Sequence, residues 1–155
     1  MRLILWTAAA LLAAVLVAGI GGYALAHSAL EVPLATPVHH DDFTFVARSV
    51  DQVRRSDGNR DVRVHLTVEN DAKVVGYEWE PATAYVLDGA GRRYAPDGRS
   101  TPPVNIAAGA RSDATLVFVV PPDARDLRLA FWDTVMMGDV FDGLRYARLR
   151  LKLGG

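Results

Sequence analysis

Among the residues of this 155-residue chain, His27, His39, His40, Asp42 and His65 are the candidates for ligands to a transition metal. Imidazole nitrogens and carboxylate oxygens ligate zinc and copper. His39, His40, Asp41 and Asp42 are consecutive and form the densest such run. On an extended segment neighbouring side chains point to opposite sides, so the four cannot face one ion. A site there needs a ligand from elsewhere, such as His65. The same residue types suit a polar lead-in to a first strand. That is the reading adopted, with no metal and no cofactor assigned. His27 follows Ala24-Leu25-Ala26, an A-x-A cleavage pattern. Cleavage there makes it N-terminal, and a free amine beside its own imidazole chelates copper when another histidine completes the site.

Other residues offer recognition rather than chemistry. Tyr77, Trp79, Tyr85, Phe131 and Trp132 can line a groove, although aromatics at alternating strand positions usually fill a sandwich core. Met136 and Met137 sit among Asp133, Asp139 and Asp142; the carboxylate spacing matches no calcium loop, and although methionines make adaptable contact surfaces, a plain packed loop is the preferred reading. No nucleophile elbow, phosphate-binding loop or His-Glu-x-x-His occurs. The serines Ser28, Ser49, Ser56, Ser100 and Ser112 lie in no such motif, so the chain is read as non-enzymatic.

These residues follow an uncharged stretch, residues 3–26. As a helix it spans about 36 Å, enough for a hydrocarbon core of roughly 30 Å. Two readings stay open: a retained membrane anchor, which is preferred, and a signal peptide cut after Ala26. Under both, Arg2 on the short side holds the N-terminus in the cytoplasm and places residues 27–155 outside. With no cysteine, disulfides, thiolate metal sites and a lipid-bearing cysteine are excluded, and packing alone must stabilise the exported part. The net charge of −1 conceals mixed signs without a basic block, which argues against nucleic acid as a partner.

Residues 27–40 carry prolines and no clear period and are expected to be an extended linker reaching at most about 40 Å. From there to 155 a single domain is expected, in which period two dominates. Residues 42–53 predict a strand with a bulge where alternation slips. Val62, Val64, Leu66 and Val68, alternating with polar residues, predict the cleanest strand. Short strands are predicted over 83–87 and 92–94, around a tight turn at 88–91. Residues 95–110 predict a long loop with one irregular edge strand. The apolar run 114–120 predicts a central strand buried on both faces. Residues 127–132 predict another strand. Residues 147–153 predict a terminal strand whose basic outer face blunts a sheet edge. The sum is an all-β, antiparallel sandwich of 7–8 strands and immunoglobulin-like size.

Several marks carry a family resemblance: DDFTFVARSV, VRVHLTVEND, YVLDGAGRRYAPDG, IAAGARSDATLVFVVPPDARDLRLAF and RYARLRLKL, in that order over residues 41–153. The order resembles the telokin-like family of bacterial extracytoplasmic domains of unknown function. The resemblance implies an immunoglobulin-like β-sandwich, tethered by a lipid or a membrane helix and without established catalytic residues. The expected function is a membrane-tethered module that binds a protein partner or supports an envelope complex. The alternative is a periplasmic copper or zinc binder using His27 or the run 39–42.

Overall fold

A computed structural model of the chain describes residues 29–40, 42–76, 83–131 and 148–154. The apolar stretch 3–26, His27, Asp41, Tyr77, Trp79, Trp132, Met136, Met137, Asp133, Asp139 and Asp142 lie outside the described residues, as do the expectations placed on them. Among the described residues no helix is long and apolar enough to cross a membrane.

The described strands are β1 (Leu30–Val32), β2 (Val38–His40), β3 (Phe43–Arg54), β4 (Arg60–Asn70), β5 (Ala84–Leu87), β6 (Arg93–Tyr94), β7 (Arg111–Val120), β8 (Arg128–Phe131) and β9 (Leu149–Lys152). They form two sheets, ordered β1-β9-β8-β5-β6 and β2-β3-β4-β7. The described residues thus form an all-β, two-sheet sandwich. Alternation explains its core: Val62, Val64, Leu66 and Val68 of β4 are buried against Leu116, Phe118, Leu129 and Leu151 from both sheets. The rings of Phe45 and Phe131 meet across the layers, with centroids 5.3 Å apart.

Five expectations need correction. Residues 30–40 were expected to belong to a linker, yet they contribute β1 to one sheet and β2 to the other. Val38 is fully buried, and a turn in which Thr36 Oγ1 donates to the Pro33 carbonyl carries the chain between layers. Short strands flanking prolines show no period, which is why these two were illegible. They raise the described strands to nine, above the expected 7–8. The β1–β9 pair is parallel, so the sandwich is not wholly antiparallel.

The other two corrections concern edges. β7 is the last strand of its sheet rather than a central one. Its apolar run is covered on the outer edge by residues 97–101. Thr101 and Thr115 exchange both backbone hydrogen bonds, and Asp97 N donates to the Val117 carbonyl. This strap is the irregular edge strand expected within 95–110. β9 lies inside its sheet, between β1 and β8, and its basic face is matched by Glu31, which accepts from Arg128 Nε (2.5 Å) and Lys152 Nζ (2.9 Å).

The turn between β5 and β6 is built on a buried carboxylate. Asp88 accepts from the amides of Ala90 and Arg92, from Arg92 Nε (2.6 Å) and from the Tyr94 hydroxyl (2.9 Å). Gly91 takes a positive φ of 80° there, a conformation glycine adopts without a Cβ clash. Burial pushes the Asp88 carboxyl up, but the hydrogen bonds from Arg92 and Tyr94 outweigh it and hold it at about 2. At the same end of the sandwich, Arg99 grips buried Asp61 with two bonds of 2.7 and 2.9 Å, and with help from Arg55 lowers it to about 2. Both folded-state values lie below the ordinary 3.8. Their contribution to stability is therefore complete above about pH 4 and lost as pH falls from there through 2. Urea midpoints measured against pH are expected to fall over that window. Asp88→Asn and Asp61→Asn are expected to lower the neutral midpoint and flatten the acid fall.

Candidate functional site

The alternating positions of β3, β4 and β7 that point away from the core form one polar face. Register sets its rows: Val46, Thr67 and Asp113 in one, Ser49, His65 and Thr115 in the next, and Asp51, Arg63 and Val117 after that. The register shifts between Ala47 and Ser49, and this bulge leaves Arg48 as an extra residue on the same face. With the Thr101 strap along the far edge, the face is walled into a groove of about 500 Å³. Arg48, His65, Thr67, Thr101, Asp113 and Thr115 line it.

Two hydrogen-bond chains run through the groove. His65 Nε2 lies 2.9 Å from Asp51 Oδ2, and Nδ1 lies 3.1 Å from Thr115 Oγ1. The carboxylate can only accept, so Nε2 carries the proton, and in the neutral ring Nδ1 accepts from the Thr115 hydroxyl. Thr67 Oγ1 donates to Asp113 Oδ1 (2.7 Å) while accepting from Arg48 Nε (3.3 Å).

Hydroxyl, imidazole and carboxylate in series have the order of a nucleophilic triad, but the surroundings differ from one. The His65 and Asp51 side chains are 41% and 65% exposed, so water screens the pair. The Thr115 amide is committed to the Thr101 carbonyl and cannot hold an oxyanion. What the arrangement provides is a rigid display of donors and acceptors of both charge signs.

Among the described residues the candidate metal ligands His39 and His65 do not converge. Among the described residues no group of three or more His, Asp or Glu is placed to hold an ion. His39 Nδ1 lies 2.8 Å from Thr44 Oγ1, which in turn donates to Asp71. That donation uses the hydroxyl's one proton, so His39 supplies the proton of its own bond. His40 pairs with Phe43, one register step from the His39–Thr44 pair. The His39 row continues to Glu69, four residues from His65 on β4. Two strand spacings and four residues separate the two histidines by about 16 Å, too far to share an ion. Both ring nitrogens of His65 are already hydrogen-bonded. Of the aromatic candidates that are described, Phe131 is in the core, and Tyr85 is buried with Arg93 stacked 4.7 Å over its ring.

Sequence reasoning reached His65 but missed Arg48, Asp51, Asp113 and Thr115. The available signal was the polar alternation of β4 and the slip in β3. Neither says which residues stand opposite, because register depends on pairing between distant segments.

A second surface lies where β4 ends and β7 begins. Buried Asn70 donates through Nδ2 to the carbonyls of Val75 (2.8 Å) and Ile106 (2.9 Å), and its Oδ1 accepts from Ala72 N. This joins the loops 71–76 and 104–110. Their tips expose Val74 (89%), Val75 (59%) and Val104 (71%).

The fold has solved counterparts. A secreted protein from Mycobacterium tuberculosis, MPT63, is 11% identical over 80% of this chain and 97% of its own, with a TM-score of 0.55. The yjhA protein from Bacillus subtilis is 14% identical over 79% and 98%, with a TM-score of 0.53. An uncharacterized β-sandwich protein from Clostridium difficile is 11% identical over 82% and 95%, at 0.55. At these identities the likeness is one of fold. No curated protein matches the chain in sequence. The family model for a domain of unknown function, DUF4352, matches residues 33–140, from the turn after β1 past β8, and the chain belongs to that family.

Proposed function

We propose that the chain is a membrane-tethered extracytoplasmic module of immunoglobulin-like, telokin-like type. It binds a protein partner through the polar face of the four-stranded sheet and catalyses no reaction. The observation that carries this reading is the groove. Arg48, Asp51, His65 and Asp113 present both charge signs on three paired strands, so little ordering entropy is lost on binding. The apolar stretch 3–26 supplies the tether, and the secreted counterpart from M. tuberculosis supports an exported setting.

The test is site-specific photo-cross-linking in the native membrane, with the probe at Ser49, which is exposed beside His65. One specific adduct is expected. Reversing the charges with Arg48→Glu and Asp113→Arg is expected to cut its yield about tenfold, since like charges placed opposite a partner repel. An adduct pattern unchanged by the reversal would remove the groove from the interface.

A further inference from the structure

We infer that Val74, Val75 and Val104 rest on the surface of the bilayer to which the chain is tethered, standing the sandwich on that end. The inference builds on the retained-anchor reading above. β1 begins at Leu30, in register with Leu149, the first residue of β9, and Leu30 N donates to the Arg148 carbonyl. This is the end of the five-stranded sheet where Phe131 pairs with Ala84, and Phe131 packs on Phe45 near the start of β3. Asn70 closes β4 and Arg111 opens β7 at that same end. The chain therefore enters the domain beside the loops 71–76 and 104–110.

The spacer is short. Residues 27–29 separate the apolar stretch from β1 and span at most about 10 Å when extended. The dozen-residue linker expected from sequence would have let the domain turn freely, whereas this spacer holds one end against the headgroups.

That end is chemically distinct. The exposed large apolar side chains among the described residues are Leu30, Val53, Val74, Val75 and Val104. All but Val53 lie at the tether end. The opposite end carries ion pairs of Arg55 with Asp57 and of Arg92 with Asp123. Lys73 precedes Val74, placing an ammonium beside the apolar tip, as at lipid–water boundaries. Asp71, in the same loop, accepts from the Thr44 hydroxyl. Three valines would hold a free domain only weakly. A domain already tethered within about 10 Å meets the surface at high effective concentration, so weak contacts suffice. The strands then run away from the membrane and the polar groove faces sideways, toward a partner in the same membrane.

The chain has no cysteine, so single-cysteine variants of the full chain can be labelled cleanly. Val74→Cys, Val104→Cys and, at the opposite end, Ser56→Cys would carry an environment-sensitive fluorophore in vesicles of phosphatidylcholine and phosphatidylglycerol. Blue-shifted emission and quenching by nitroxide-labelled lipid are expected at 74 and 104, and neither at 56. Emission at 74 and 104 matching that at 56 would overturn the inference. Alkaline carbonate extraction separates the two levels: a chain that stays in the membrane with aqueous labels loses only the docking, whereas a chain released by carbonate loses the anchor and the docking together.

Discussion

Phe131→Ala is expected to destabilise the fold by about 3–5 kcal/mol, the range for removing a large buried aromatic side chain. Phe131 is buried on β8, and its ring meets that of Phe45 on β3 at a tilt of 39°. Phe45 in turn is flanked by Val38 on β2 and Val68 on β4. The pair therefore joins the two layers at the end where the loops converge, and the flanking strands cannot close the space without sliding register. A loss of this size is a large share of the 5–15 kcal/mol typical of a domain. Urea unfolding followed by circular dichroism measures it. Phe131→Leu, which keeps most of the buried carbon, is expected to lose less. Phe45→Ala combined with Phe131→Ala is expected to lose less than the sum of the two, by about 0.5–1.5 kcal/mol of shared ring contact. A Phe131→Ala loss below about 1 kcal/mol would show that the layers are not held through this contact.

Asn70→Asp is expected to cost more than Asn70→Ala, although aspartate has nearly the same shape. The Asn70 amide donates to two backbone carbonyls and its oxygen accepts a backbone amide, all local to loops whose residues Ala72 and Ile106 are buried. Alanine leaves those groups unpaired, at about 1–3 kcal/mol for each buried one, so a total near 2–4 kcal/mol is expected. Aspartate keeps the acceptor but aims an oxygen at the carbonyls of Val75 and Ile106, replacing attraction with repulsion. Because Asn70 N also donates to the Ala110 carbonyl and Gly109 N to the Asn70 carbonyl, both variants are expected to loosen the loop pair before the rest of the sandwich. Amide exchange at 72 and 109 should accelerate more than at Leu66 in mid-β4. Equal protection at all three positions would show that Asn70 does not organise this end.

Much of the sandwich is legible from local pattern. Alternation over 62–68 and 127–131 marks buried faces directly, and the slip within 42–53 marks the bulge that turns Arg48 outward. β1 and β2 are three residues each, and their partners lie in β9, at the far end of the chain, and in β3. β7 reads as a central strand because the strap at 97–101 covers it as a neighbouring strand would. β1 and β7 thus turn on contacts that a local apolar count cannot register, whereas β2 is a hairpin arm too short to show a period.

The site divides along the same line. An all-β domain, an apolar N-terminal stretch, the absence of thiol chemistry, and a polar stripe along β4 that includes His65 are all readable from residue order. Those follow from composition and from a two-residue period, which are local properties. Folding is what brings His65 to Asp51 and Thr115 rather than to His39. Only it brought Val74 and Val104 to the end where the chain enters. Both outcomes depend on strand register and on which loops share an end, and these are set by packing between segments tens of residues apart.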